Sequence, residues 1–266
     1  STMATKFSDF SKGPKDLLND DYTSSISLKC KKAAGPVGVT IETERGGNGG
    51  LSSKVGTKFN YAGFSVDKGQ LKADGSRVLE TSVKPCPGVK VSFKASKGAD
   101  LCIDYTKGNF YATSVLDVMD TSKFSASASL VHPSGFAFGG STNYALAGKT
   151  GLTAYDVGVK YSQGPLLASL TSSAKLSTFN IGLLYKVNDE VTLASQTSHS
   201  SSKTCDVVAI GGLYKAPFGN VKAKIGSNGM LSAALIREIA PKVTLKASGA
   251  VSTSDFSNFK TGLGIE

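Results

Sequence analysis

Hydrophobic and polar residues alternate position by position along most of this chain, from about residue 24 to the C-terminus. In residues 89–96, Val, Phe and Ala side chains alternate with Lys and Ser, and residues 242–248 repeat the pattern. Successive side chains of a β-strand point to opposite faces, so each segment has an apolar face and a polar, mostly cationic face. The segments are about ten residues long, which suits strands that cross a bilayer at a tilt. The pattern predicts an all-β transmembrane barrel around a water-filled lumen.

Turn residues separate the segments at regular intervals, mostly as short clusters of Gly, Pro, Asn and Asp. At about twelve to thirteen residues per strand and turn, residues 24–266 accommodate about nineteen strands. The predicted strand centres are Leu28, Val39, Lys58, Val66, Leu79, Val91, Ile103, Thr113, Ala128, Phe138, Val157, Ala168, Ile181, Leu193, Ile210, Lys222, Ala233, Leu245 and Leu263.

Residues 1–23 differ from the rest of the chain. Between residues 6 and 20, Phe7, Phe10, Leu17 and other apolar residues recur at roughly helical spacing, with charged residues between them. The spacing predicts a short amphipathic helical segment that Gly13-Pro14 interrupts, with Pro14 as the first residue of a second helical turn. A helix this short is unstable alone in water, so it must dock on the barrel wall from inside or on the membrane surface. A disordered tail is the alternative.

Composition narrows the function. The chain has a net charge of +10, 40% hydrophobic residues, no Trp and 30 glycines. Its basic residues alternate with apolar ones along strands and do not interleave with aromatic residues, so the pattern does not favour nucleic acid binding. A cationic lumen that attracts anions explains the charge better. The lysines expected to line this pore are Lys12, Lys15, Lys29, Lys54, Lys58, Lys90, Lys94, Lys222, Lys224, Lys242 and Lys246.

Several weak motifs for enzymes and cofactors fail on inspection. Residues 148–150 (Gly-Lys-Thr) resemble the end of a phosphate-binding loop, but Asn143 stands where its first glycine would be. The histidines, His132 and His199, are not accompanied by a nucleophile elbow, and no residues have metal-ligand spacing. The cysteines Cys30, Cys86, Cys102 and Cys205 form no CxxC pair. We therefore expect no enzyme, no cofactor and no metal.

The helical segment carries one motif of its own. Within residues 9–16, Asp9 is followed by Lys12 and then by the Lys15–Asp16 pair. This order resembles the N-terminal helix of the mitochondrial porins, the voltage-dependent anion channels of the outer mitochondrial membrane. Residues 179–186 with 190–193 look like a hairpin near that family's signature.

The C-terminal end strengthens the resemblance. Residues 240–248, followed by 260–266, are similar to the final hairpin of the same family. The order and spacing of all these stretches match, so the resemblance covers essentially the whole chain.

The resemblance implies more than the composition does. It implies nineteen strands that are antiparallel except for a parallel first and last pair, with the N-terminal helix inside the pore. It also implies a voltage-gated, weakly anion-selective diffusion pore for ATP, ADP and other small anions in the mitochondrial outer membrane. Its partners would be the lipid bilayer, these permeants, further copies of the chain and other outer-membrane proteins.

The chain departs from the family pattern in three places. The family's glycine-leucine-lysine motif near the first strand is absent, with Ser27-Leu28-Lys29 in its place. The family commonly has a glycine-containing hinge after the helix, but residues 19–23 contain no glycine. Some members carry a membrane-facing acidic residue on the fourth strand, and Asp67 is the nearest candidate for it here.

Three other classes of protein remain as alternatives. A protein-import channel of the same membrane would share the barrel, but it would usually have a longer N-terminal extension and acidic patches. A soluble all-β binding module would also show alternation, although rarely in so many similar strands. An outer-membrane barrel enzyme would need a catalytic cluster that the sequence does not show.

Overall fold

A computed structural model of the protein describes residues 3–47, 49–119, 121–201 and 207–266. Within these ranges the chain begins with a 3-10 turn, Phe7–Asp9, and one α-helix, α1, Lys12–Asn19. Strands make up nearly all of the remainder. They are β1 (Ile26–Ala34), β2 (Val37–Arg45), β3 (Leu51–Tyr61), β4 (Phe64–Lys72), β5 (Arg77–Cys86), β6 (Val89–Ala95), β7 (Ala99–Lys107), β8 (Phe110–Asp117), β9 (Lys123–Val131), β10 (Phe136–Ala145), β11 (Gly151–Gln163), β12 (Leu166–Ser173), β13 (Thr178–Lys186), β14 (Val191–Ser200), β15 (Val207–Ala216), β16 (Gly219–Gly226), β17 (Met230–Ala240), β18 (Val243–Ser252) and β19 (Asp255–Ile265).

The strands form a single closed sheet of nineteen strands in the described part of the chain. Each strand pairs antiparallel with the next along the chain, and β1 closes the barrel by pairing parallel with β19, with Ser27 opposite Gly264. An odd number of alternating strands leaves the first and last running in the same direction, so a parallel seam is unavoidable. The predicted barrel, its strand count and its parallel closing pair are confirmed. Every predicted strand centre lies within an observed strand.

The apolar faces of the strands point outward. Phe179, Ile181, Leu183 and Tyr185 of β13 lie on one face, with 41–47% of each residue exposed. A soluble protein of this size would bury such a row, whereas a bilayer supplies an apolar solvent for it. The alternation therefore places the polar residues on the inside, the reverse of a globular domain.

No helix in the described ranges is both long enough and apolar enough to cross a membrane.

Tight turns join the strands, and the turn between β5 and β6 depends on glycine. Gly88, between β5 and β6, has a φ of +83°, and a side chain there would collide with the backbone carbonyl oxygen of Thr106 on β7. Gly75, between β4 and β5, has a similar φ of +80° but faces open space. Substituting each glycine by alanine therefore distinguishes two energetic costs: that of a left-handed backbone, which both positions share, and that of a steric clash, which only Gly88 has.

We expect Gly88→Ala to lower the free energy of unfolding more than Gly75→Ala does. Both substitutions place Cβ in a left-handed conformation, which costs about 1–2 kcal/mol. Only Gly88→Ala must also displace the backbone of β7 at Thr106. Urea unfolding of the two variants in lipid vesicles measures the difference, and equal destabilisation would contradict the close approach.

Candidate functional site: the lumen and its N-terminal segment

The N-terminal segment lies inside the barrel, against the wall. The 3-10 turn packs on β9 and β10, and α1 packs on β13, β14 and β15. Its apolar side chains face the wall: Phe10 and Leu18 are fully buried, and Pro14 and Leu17 are also buried. These are the residues whose spacing predicted the helix. The predicted helix inside the pore is confirmed.

The break in the segment lies earlier than its Gly-Pro pair. The 3-10 turn ends at Asp9, and α1 begins at Lys12, so that Pro14 falls within the first turn of the helix. The first backbone N–H groups of a helix have no intrahelical acceptor, so proline loses no hydrogen bond there. Gly13-Pro14 therefore starts the helix and does not interrupt it.

A track of small residues on the wall receives the segment. We call it the small-residue groove, and it consists of Gly139, Gly158, Ser169, Gly182, Ala194 and Gly211, one on each strand from β10 to β15.

The glycines of this groove are closely covered. A Cβ atom on Gly139 would lie 2.8 Å from the ring of Phe7, and one on Gly211 would lie 2.9 Å from Leu18 Cδ2. A Cβ on Gly182 would lie 3.2 Å from Cγ of Pro14. Any larger residue at these positions would lift the segment off the wall, so the groove fixes where it docks.

Polar contacts anchor the start of the segment. Ser129 on β9 donates a hydrogen bond to the carbonyl oxygen of Thr5. Lys6 pairs with Asp104 on β7 at 3.5 Å and lies over the ring of Tyr111, 5.2 Å from its centroid. The segment is therefore attached ahead of the helix as well as along it.

The linker after α1 is anchored by charge. Asp21 forms ion pairs with Lys222 on β16, at 2.8 Å, and with Lys246 on β18, at 3.1 Å. Burial opposes ionisation of Asp21, but the hydrogen bonds from Lys222 and Lys246 outweigh it and lower the pKa of the carboxyl group. Burial and the charge of Asp21 together raise the pKa of Tyr22 to about 12.

Most of the predicted wall lysines face carboxylates. Lys54 pairs with Glu42 at 2.5 Å, Lys90 with Asp67 at 3.0 Å and Lys94 with Glu80 at 3.5 Å; Lys29 and Lys246 pair with Glu266 at 3.4 and 3.5 Å. The alternation along single strands predicts lumen-facing lysines but does not identify these carboxylate partners. The acidic residues have the same alternation as the lysines and lie opposite them on neighbouring strands, so pairing required knowledge of the strand register.

A smaller group of lysines has no carboxylate partner in the described residues. The predicted residues in this group are Lys12 and Lys15 on α1, Lys58 on β3, Lys224 on β16 and Lys242. Lys224 lies over the ring of Tyr22, 4.5 Å from its centroid. Lys12 and Lys15 border a recess of about 480 Å³ that the helix motif residues Asp9 and Asp16 also line.

Two positions differ from the sequence analysis. Lys242 does not lie on a strand: it is in the turn between β17 and β18, with a φ of +66°. Lys160 on β11 is not among the lysines expected to line the pore, although it points to the same side as Gly158 of the small-residue groove. Simple alternation from Gly158 would have identified it.

Comparisons with known proteins give the chain its family. The model of the eukaryotic porins matches residues 4–262. This chain belongs to the eukaryotic porin family. Porin 5 of the mitochondrial outer membrane of Oryza sativa subsp. japonica is 26% identical over 93% of this chain and 91% of its own length. The mitochondrial outer membrane porin of Neurospora crassa is 26% identical, with 96% of each chain covered.

Family membership establishes the coarse function. This porin is a β-barrel of the mitochondrial outer membrane that acts as a diffusion channel and not as an enzyme. Among solved structures, a mutant of the Rh. blastica porin has a TM-score of 0.49 at 13% identity, with 84% of this chain and 89% of that chain covered.

Asp67 of this porin does not face the membrane. The register of β4 and β5 shifts between Val66 and Lys68, which is a β-bulge at Asp67. The bulge turns the carboxylate to the lumen, where it accepts hydrogen bonds from Ser82 at 2.6 Å and Lys90 at 3.0 Å. The alternation in the sequence cannot fix the face of Asp67, because one bulged residue reverses the face of a side chain.

The remaining motifs lie in ordinary surroundings. His132 bonds to Ser134 in the β9–β10 turn, and residues 148–150 lie in the β10–β11 loop, without a following helix. No group of three or more potential metal ligands occurs in the part of the chain that the structure describes. Cys30, Cys86 and Cys102 are free thiols, while Cys205 lies outside the described residues.

We expect Gly182→Val to displace the N-terminal segment, because the new side chain would occupy the place of Pro14. The matched control is Gly56→Val. Gly56 on β3 shares the lumen face, but the nearest atom to a Cβ there is a carbonyl oxygen of Gly69 at an ordinary 3.6 Å. Trypsin cleavage after Lys12 in refolded protein is the measurement. It should accelerate in the Gly182 variant and not in the Gly56 variant; equal rates would contradict the groove.

Proposed function

We propose that this porin is a voltage-gated, weakly anion-selective pore through which ATP, ADP and other small anions diffuse. The observation that carries the proposal is the set of unpaired lysines at the N-terminal segment. Lys12 and Lys15 are exposed to the lumen on a helix that narrows it, and within the described ranges no carboxylate lies at ion-pair distance from either amine. Their charge is therefore available to a passing anion.

The paired lysines support weak selectivity over strict selectivity. Lys54, Lys90 and Lys94 each face a carboxylate, so those parts of the wall contribute little net charge. In an aqueous pore, fields are also screened over a Debye length of about 8 Å at physiological salt. A cation passing along such a wall meets alternating charges and only a modest barrier. Free diffusion needs sites that release their occupants quickly, which isolated lysines provide.

The way in which the N-terminal segment is held supports voltage gating. It carries charges within the lumen, and in the described residues no backbone–backbone hydrogen bond joins it to the wall, whereas every strand is held by ladder hydrogen bonds on both sides. Moving one elementary charge through the full membrane potential changes the energy by about 2.3 kcal/mol per 100 mV. The segment is thus the part of the described structure that a voltage displaces most easily.

Of the three alternative functions, one remains a competitor. A soluble binding module and a barrel enzyme do not fit a eukaryotic porin with an apolar outer face. A protein-import channel of the same membrane stays the competing function, and its basic presequence substrates would favour an acidic lumen. The amines of Lys12 and Lys15 on the helix have the opposite sign.

Single-channel recording in a planar bilayer under a KCl gradient tests the proposal. The reversal potential should show mild anion preference, with partial closure at both voltage polarities. Lys12→Gln/Lys15→Gln should move the reversal potential toward cation preference, because it removes two unpaired charges where the pore is narrow.

The matched control is Lys94→Gln/Glu80→Gln, which removes an ion pair of the wall and leaves the net charge unchanged. Its reversal potential should equal that of the parent protein. Cation preference in the parent, with blockade by basic presequence peptides, would favour the import channel instead.

A further inference from the structure

The linker after α1 keeps the backbone shape of a glycine hinge without having a glycine. Asp20 is extended, and Asp21 has a φ of +72°, in the left-handed region. This turn redirects the chain from the helix toward β1. Glycine occupies the left-handed region without penalty, whereas other residues pay a small steric cost that Asp tolerates better than most. We therefore ask which contacts the side chain of Asp21 makes that a glycine could not make.

The carboxylate of Asp21 bridges two strands that are not neighbours. Its Oδ2 accepts from Lys222 on β16 at 2.8 Å, and its Oδ1 pairs with Lys246 on β18 at 3.1 Å, with β17 between them. Lys222 also donates to the carbonyl oxygen of Asp20 at 3.4 Å. Only 12% of the Lys222 side chain and 20% of the Asp21 side chain are exposed, so solvent screens this pair less than a surface ion pair.

The residues that follow Asp21 are fixed to the same wall. The hydroxyl of Ser248 on β18 donates to the carbonyl oxygen of Thr23 at 2.6 Å and lies 3.1 Å from its backbone N–H. The backbone of Thr23 also lies directly against Gly262 on β19, where any side chain would collide with it. The linker has no slack between the helix and the start of β1.

The same charges continue to the closing seam of the barrel. Lys246 shares its charge between Asp21 and Glu266, and Glu266 also pairs with Lys29 and Lys31 on β1. Removing the Asp21 carboxylate would leave Lys222, the most buried cation of the group, without an ion-pair partner in the described residues.

We infer that Asp21 is a latch: its two ion pairs hold the left-handed turn closed and keep the N-terminal segment docked in the small-residue groove. A glycine at this position would permit the same turn but would leave it free to open. The latch and the groove have separate roles. The groove sets the position of the helix on the wall, and the latch restrains the linker so that the helix stays there. In this porin, an ion-paired turn at Asp21 therefore stands where a glycine would give a flexible hinge.

Fluorescence quenching tests the latch directly. The chain contains no Trp, so Phe7→Trp supplies a single fluorophore at the partly buried start of the segment. In vesicles at low salt, acrylamide should quench this Trp weakly. Adding Asp21→Asn should raise the quenching constant by about twofold or more, because undocked segments become a substantial population. Asn tolerates the left-handed turn as well as Asp does, so only the charge changes.

The matched control is Asp20→Asn, which removes the same charge one residue earlier, where the backbone carbonyl and not the side chain contacts Lys222. Its quenching constant should equal that of the parent. A second variant, Lys222→Gln/Lys246→Gln, removes the other half of the latch and should behave like Asp21→Asn. Raising KCl to 1 M should increase quenching in the parent and leave the Asp21 variant unchanged, since screening then extends over about 3 Å.

Two results would overturn the latch. One is an Asp21 variant with parental β-sheet circular dichroism and parental quenching. The other is equal quenching of the Asp20 and Asp21 variants, which would indicate a general effect of charge. Quenching does not depend on which ions the pore prefers, so this outcome is independent of the proposed selectivity.

Discussion

Closure of the sheet is the constraint on which the rest of this structure depends. Within a bilayer no water is available to the backbone, so every N–H and C=O group of a spanning strand must find a partner in another strand. Nineteen strands satisfy this requirement only because β1 pairs with β19. That seam is short: its parallel register comprises Ile26, Ser27 and Leu28 of β1 opposite residues 263–265. The ion pairs of Glu266 with Lys29 and Lys31 lie beside it and reinforce the weakest ladder of the barrel.

Closure also decides where charge can lie. With lipid outside, each strand must turn its polar face to the lumen, which concentrates lysines and carboxylates on one inner surface. Neighbouring strands then bring opposite charges together, as with Lys54 and Glu42 or Lys94 and Glu80. Pairing of this kind leaves a wall that is close to neutral, so the charges that remain free stand out. The most distinctive of these lie on the N-terminal segment, which packs against the sheet without being part of it.

The N-terminal segment and the wall are matched by size and by charge. The small-residue groove crosses six adjacent strands, and its glycines admit Phe7, Pro14 and Leu18 to the backbone of the sheet. The glycines of the groove act by leaving space, while the Ser169 hydroxyl bonds to Ser11 and the Ala194 methyl group packs with Leu17 and Leu18. At the other end of the helix the matching is electrostatic, between Asp21 and the lysines of β16 and β18. The two devices together hold a short helix that would not be stable alone.

The sequence by itself determined the barrel, because alternation with a period of two and regular turns are local properties that survive in any context. It determined the amphipathic helix for the same reason, through the spacing of residues such as Phe10 and Leu18. It did not reveal the partners of the lysines, because Lys94 and Glu80 are brought together by the register of β5 and β6. Nor did it reveal the orientation of Asp67, since a single bulged residue in β4 reverses a face. Whether a glycine such as Gly182 is a turn residue, a weak point or a docking surface depends on what packs over it. Only the tertiary structure decided these points, because each depends on atoms that are distant in the chain and adjacent only once the sheet has closed.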